Sequence, residues 1–348
     1  MKILSLSLLL CGVLFSGQLV KADALIRPKV IIVATFEVGE DTGDKPGEFQ
    51  FWVEREKLTK TMVVPGVDHI VRYNDEGTFG VVSGTTSRSG LQIMALCLDP
   101  RFDLSHTYWI INGIAGVNPA VASIGSAAWA HYVIDGDVAY EIDAREADTS
   151  WPYAIIPVGS KVPNQKPKSE GWEPDTMAYL LNKGLVDWAY ALTKDTQIPD
   201  TDGMKAYRAT YVGFPEAQKP PFVCYGETFG SCRYWHGNAM TQWAGDWTKL
   251  WTDGKGEFAM SDMEDQGFAA ALSRLSKMGK VDFQRVLLLR TASNYCMQAP
   301  SQDVNKSLHS EYAGYIPSLE AAYRVGSRVS HEIAGHWDTY RDAIPSAN

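Results

Sequence analysis

From Leu104 to Ile134 the chain carries no Asp, Glu, Lys or Arg. A charge-free run of that length is either lipid-facing or buried on every side. It contains Asn112, Asn118, Pro119, His131 and three glycines, and its β-branched residues fall in short groups. Hydrocarbon offers no partners for such polar and irregular backbone. A fully buried parallel strand followed by a glycine-containing loop therefore explains the run better than a membrane helix. Short apolar runs at 29–35, 79–83, 108–112 and 285–290 read as further buried strands, as do 129–138 and 153–158. Helical patterns lie between them. One follows Gly90 and places Leu91, Met94, Ala95 and Leu98 on one face; one spans 175–194, with Leu180, Leu181, Leu185, Trp188 and Leu192 aligned. Others cover 262–279 and 318–337, and 242–254 is Trp-rich. Strands alternating with helices predict an α/β chain with a mixed, mainly parallel central sheet.

The first 22 residues read differently. Met1-Lys2 is a positive start, residues 3–15 are almost wholly apolar, and Val20-Lys21-Ala22 puts small residues before a cut at Asp23. This is the order of a secretory signal peptide, and its apolar run falls short of the roughly 20 residues that span a bilayer. The remaining 23–348 are expected to form a single exported domain with no membrane span. Net charge is −9, and loss of Lys2 and Lys21 takes it to −11. An acidic surface repels phosphate backbones, so no nucleic-acid partner is expected. Eleven Trp and sixteen Tyr suit both aromatic cores and flat or sugar-bearing ligands. In an oxidising compartment Cys224 and Cys232 are the expected disulfide pair, whereas Cys97 reads as a buried thiol. No metal-ligand spacing stands out, and no cofactor is expected.

Ligands of open α/β sheets sit beyond the carboxyl ends of strands, which points to the residues after Thr35, Ser83, Asn112 and Arg290. Those places carry a resemblance. Residues 111–119 (INGIAGVNP), 140–146 (YEIDARE), 234–237 (YWHG), 262–265 (DMED), 289–295 (LRTASNY) and 318–326 (SLEAAYRVG) resemble the purine nucleoside permeases. That family is similar, more distantly, to the nucleoside phosphorylases and nucleosidases. The resemblance covers essentially all of 23–348. It implies a nucleoside phosphorylase-like three-layer αβα fold, a purine nucleoside as ligand, and a homo-oligomer.

The resemblance also implies residue roles. Nucleoside phosphorylases hold the ribose hydroxyls with a Glu-Met-Glu that matches Asp262, Met263 and Glu264, so Glu264 is the expected diol acceptor. Distant relatives acting on adenine nucleosides place an Asp where this chain has Asn294, beside Ser293. An amide can hydrogen-bond the base but cannot transfer a proton. Trp235 is expected to stack on the base, and His236 either reaches the sugar or caps the following helix. The loop 83–90, with Gly84, Thr85 and Arg88, resembles the glycine loop that cups ribose or phosphate. Phosphorylases carry an Arg, a Gly and a hydroxyl residue at the place of Ile111, Gly113 and Ile114, next to Ala115. The phosphate ligands are thus missing. In the nucleosidases a Glu after the first strand activates water; Glu40 or Glu37 would match, with Glu40 preferred.

The expected function is an exported purine nucleoside-binding protein that hydrolyses the N-glycosidic bond. The alternatives are a non-catalytic protein supporting nucleoside uptake and, third, a phosphorylase. Export makes a direct prediction: mass spectrometry of the native protein should find its N-terminus near Asp23. An intact Met1–Ala22 segment in a membrane pellet would refute it.

Overall fold

The computed structural model describes residues 24–167 and 176–347. The signal-peptide reading and the segment 168–175 lie outside the described residues. Among those described, twelve strands join one sheet, built outward from two ten-residue strands. Tyr108–Val117 and Val286–Tyr295 run parallel along their whole length, and Val286–Tyr295 is buried at every position. Val30–Ala34 pairs in parallel with both Tyr108–Val117 and Thr78–Val82, which gives a mostly apolar stretch of buried sheet. Strands buried on both faces must be apolar on both. This satisfies the charge-free run, and no described helix is long and apolar enough to cross a membrane.

Tyr108–Val117 changes partner midway. On one edge, residues 108–111 pair with Val30–Ala34, whereas Gly116 and Val117 pair antiparallel with Phe258–Asp262. Residues 112–115 have no ladder partner on that edge, and the sheet opens there. The strand therefore runs through Gly113–Gly116, where the sequence suggested a loop. Arg290 stands opposite Gly113 in the register, and a Cβ at Gly113 would come 2.3 Å from the guanidinium. Only glycine leaves room for it.

Helices flank the sheet in two groups. Ser89–Leu98 packs against Asp265–Lys277, and Tyr315–Gly335 lies on Val286–Tyr295 and Tyr108–Val117, with Gln50–Arg55 and Lys183–Thr193 against it. The helix after Gly90 is present, but its buried stripe is Ile93, Leu96 and Cys97; Leu91 is 70% exposed and Leu98 45%. Both stripes are apolar at helical spacing, so periodicity could not choose between them. The expected helix over 175–194 divides. Ala178–Leu180 is an antiparallel edge strand, and Asn182 caps Lys183–Thr193 by accepting from Gly184 N at 3.1 Å and Leu185 N at 3.3 Å. The run 129–138 likewise breaks into Ala127–Trp129 and Tyr132–Asp135. Ile155–Pro157 leaves the main sheet to pair with Ala139–Glu141. The acid–base motif beside that pair is an exposed Arg145–Asp143 ion pair. Cys224 and Cys232 are not bonded to one another. Cys224 sits in the Val223–Tyr225 strand, and Cys232 donates to Ser87 Oγ at 3.2 Å. Cys97 is a buried thiol, as expected.

Glu227 tightens the turn between Ala127–Trp129 and Tyr132–Asp135. One carboxylate oxygen accepts from His131 N at 2.9 Å and Tyr132 N at 2.6 Å. Burial, only partly offset by those two donors, pushes its pKa up to about 7. The folded state then holds the proton longer than the unfolded chain. Stability from this group is intact below about pH 4.5 and is lost as pH rises through 7, by up to roughly 3 kcal/mol. Gln keeps the acceptor oxygen without the charge. Glu227→Gln should therefore raise the melting temperature at pH 8 and leave it unchanged at pH 4.5. An equal shift at both values would remove Glu227 from the pH dependence.

Candidate functional site

A cavity of about 270 Å³ opens at the unpaired stretch 112–115. Its walls come from places spread along the chain: Thr35, Phe36 and Glu48; Thr85; Ile114 to Gly116; Tyr234; Ser261 to Glu264; Ser293 and Asn294; and Tyr312 and Tyr315. Three carboxylates line it, and among the described lining residues there is no Lys, Arg or His.

The backbone groups freed by the change of partner are taken up by charged side chains. Ile114 N donates to Glu48 Oε1 at 2.7 Å, and Ile114 O accepts from Arg290 Nη1 at 3.1 Å. Glu48 Oε2 also accepts from Thr35 N at 2.8 Å and from the Thr35 hydroxyl. Arg290 is fully buried. It grips Asp265 with two nitrogens, meets Glu264 Oε1 at 2.8 Å, and has Asp262 at 3.8 Å and Glu48 at 4.0 Å. One guanidinium thus faces four carboxylates. Burial raises the pKa of Glu48, of Glu264 well above its ordinary value, and of Asp265, while Arg290 pulls all three the other way. Thr228 adds a count of hydrogens. Its hydroxyl touches carboxylate oxygens of both Asp262 and Asp265, the latter at 2.7 Å. A hydroxyl has one hydrogen, so one of those contacts needs a proton from the carboxyl side. Asp262 Oδ1 meanwhile caps the Asp265–Lys277 helix through Glu264 N at 2.9 Å and Asp265 N at 2.8 Å.

Of the residues singled out in the sequence, the cavity gathers Thr85, Ile114, Ala115, Asp262, Met263, Glu264, Ser293 and Asn294. The others stand elsewhere. Glu37 spends its carboxylate on backbone: it accepts from Val38 N and Phe49 N at 2.8 Å and Gln50 N at 2.6 Å, and from Gly47 N. It holds the start of the Gln50–Arg55 helix and does not line the cavity. Glu40 is exposed and also outside it. Glu48 is the carboxylate of this region that lines the cavity, because the loop after Thr35 folds back and returns at Glu48 N→Phe36 O, 3.0 Å. Nothing in the spacing of Pro46-Gly47-Glu48 announces that return. Trp235 packs edge-on to Phe229 and Trp243 in the core, and its neighbour Tyr234 supplies the cavity ring instead. His236 bonds Ser307 Oγ at 2.9 Å, away from the cavity. Gly113 lies beneath Arg290, Gly84 takes the positive φ of 77° that turns the loop, and Arg88 is exposed.

The fold is that of known nucleosidases. A 5′-methylthioadenosine/S-adenosylhomocysteine nucleosidase of Neisseria meningitidis superposes with a TM-score of 0.51 at 11% identity, over 88% of this chain and 100% of that one. The futalosine hydrolase of Helicobacter pylori gives 0.51 at 13%, over 88% and 98%. At such identities the likeness concerns the three-layer αβα fold alone. In sequence, a probable purine nucleoside permease of Schizosaccharomyces pombe is 27% identical over 333 residues, 92% of each chain. A purine nucleoside permease of Candida albicans is 27% identical over 330 residues, 91% of this chain and 78% of that one. The family model for purine nucleoside permease matches residues 27–345. The chain belongs to the purine nucleoside permease family.

Proposed function

We propose that this chain binds a purine nucleoside and cleaves its N-glycosidic bond with water. The observation that carries the reading is the cavity wall: Glu48 and Glu264 are both buried there, and no cationic side chain lines it. Phosphate would meet carboxylates whose one counter-charge, Arg290, is buried behind them and already paired, and this disfavours phosphorolysis. A ribosyl centre that becomes positive as the bond breaks would meet the opposite charge. Glu264 accepts the ribose diol. Glu48 has one lone pair of Oε1 left after Ile114 N, and it orients a water there. Water oxygen bonds to C1′, its proton passes to Glu48, and the C1′–N bond electrons leave with the base, which then takes up a proton. The N-terminal segment supports a site of action outside the cell membrane.

A second reading is a binding protein that serves nucleoside uptake. It is favoured by the names of the relatives and by the three donors already on Glu48.

Incubation of residues 23–348 with purine nucleosides, with and without phosphate, should release free ribose at a rate that phosphate does not change. Glu48→Gln should abolish release with affinity retained. Glu264→Gln should weaken binding ten- to a hundredfold, as for a lost charge-assisted bond. Ribose 1-phosphate would establish phosphorolysis, and tight binding with no base released would establish the uptake reading.

A further inference from the structure

The base end of the cavity is read here on the assumption that the proposed nucleoside site is right. Asn294 is only 7% exposed, and its amide orientation follows from its partners. One atom of the amide faces the carbonyl oxygen of Tyr295 at 3.0 Å. A carbonyl cannot donate, so that atom is Nδ2. The second Nδ2 hydrogen goes to Tyr234 Oη at 3.1 Å, and Oδ1 shares the Ser293 hydroxyl, 2.9 Å away, with the carbonyl of Ala115 at 3.2 Å. Asn294 thus has no N–H left for a ligand. It keeps one lone pair on Oδ1.

Tyr234 is in the reverse position. Its oxygen accepts from Asn294 Nδ2 and from Tyr312 Oη at 2.9 Å, which occupies both lone pairs. Its own O–H is therefore turned from both partners, and Tyr234 lines the cavity. What the site presents is one donor beside one acceptor.

We propose that Tyr234, rather than Asn294, donates the hydrogen bond to the base, and that the Tyr234–Asn294 pair selects a 6-aminopurine. The outer edge of such a base offers an acceptor, N7, next to a donor, the 6-amino group. Tyr234 O–H meets N7 and Asn294 Oδ1 meets the amine. A 6-oxopurine offers two acceptors on that edge, so its oxygen would face the Asn294 lone pair. Pyrimidines have no N7. The phenol also suits departure of the base, because a hydrogen bond to N7 strengthens as the ring takes up the electrons of the breaking bond.

The test uses 9-methyladenine, 9-methylhypoxanthine and 9-methyl-7-deazaadenine, which cannot be cleaved and cannot shift their imidazole proton. Their affinities for the wild-type protein and for Tyr234→Phe are measured by calorimetry or ligand-observed NMR. The wild type should bind 9-methyladenine three- to tenfold more tightly than either analogue, the range for one neutral hydrogen bond. Tyr234→Phe should lose that margin over the 7-deaza compound while binding the 7-deaza compound as the wild type does. Equal wild-type affinity for the adenine and its 7-deaza analogue overturns the role of Tyr234. So does full discrimination retained in Tyr234→Phe, and a preference for 9-methylhypoxanthine overturns the assignment of the acceptor. The wild-type comparison needs no variant to fold. A wild-type protein that binds adenosine but fails this series refutes the base reading alone, whereas one that binds no nucleoside refutes the proposed function beneath it.

Discussion

A guanidinium at the centre of the sheet, removed from water, must be surrounded by acceptors, because an uncompensated buried charge costs several kcal/mol. Arg290 meets this requirement with Asp265 and Glu264 on one side and the carbonyl of Ile114 on the other. The site grows from that arrangement. Asp265 begins a helix, Asp262 caps it, and Glu264 is thereby held at the cavity wall. The unpaired backbone at Ile114 is bonded by Arg290 from one side and by Glu48 from the other. Burial raises the pKa of Glu48, Glu264 and Asp265, and for the last two the neighbouring carboxylates add to the shift, because four carboxylates around one cation leave an imbalance. A positively charged reaction centre would relieve it.

Local patterns carried the buried strands well, because a strand apolar on both faces leaves a run of residues that any reader can see. The resemblance singled out Asp262, Met263 and Glu264, which do line the cavity; being consecutive, they need no long-range geometry to come together. Local patterns failed where closure is non-local. Glu48 reaches the cavity through a backbone bond to Phe36 across an irregular loop, whereas the nearer Glu37 is consumed by four N–H groups at a helix start. The choice between adjacent rings failed too. Trp235 and Tyr234 differ only in which side of the chain they face, and the aromatic core around Phe229 and Trp243 claimed the larger one. The Ser89–Leu98 helix shows the same limit, since two apolar stripes compete and only the neighbouring helix decides which is buried.

The family name and the proposed reaction concern different events, passage of a nucleoside and cleavage of one. Both begin with the same cavity, and the described helices include none long and apolar enough to form a membrane span. The residues that would separate the two are few. In the proposed reading, Glu264 would serve either event by holding the sugar, while Glu48 would matter to cleavage alone.

The cavity is assembled from segments that begin at Thr35 and end at Tyr315, nearly the whole described length. No fragment of the chain contains enough of it to recognise a ligand. Occupancy must therefore be linked to global rather than local unfolding: each bound molecule is lost only when distant parts separate, and free ligand shifts the folding equilibrium of the entire chain by mass action. By that linkage, the same molecule that fills the site would also prolong the life of the fold around it.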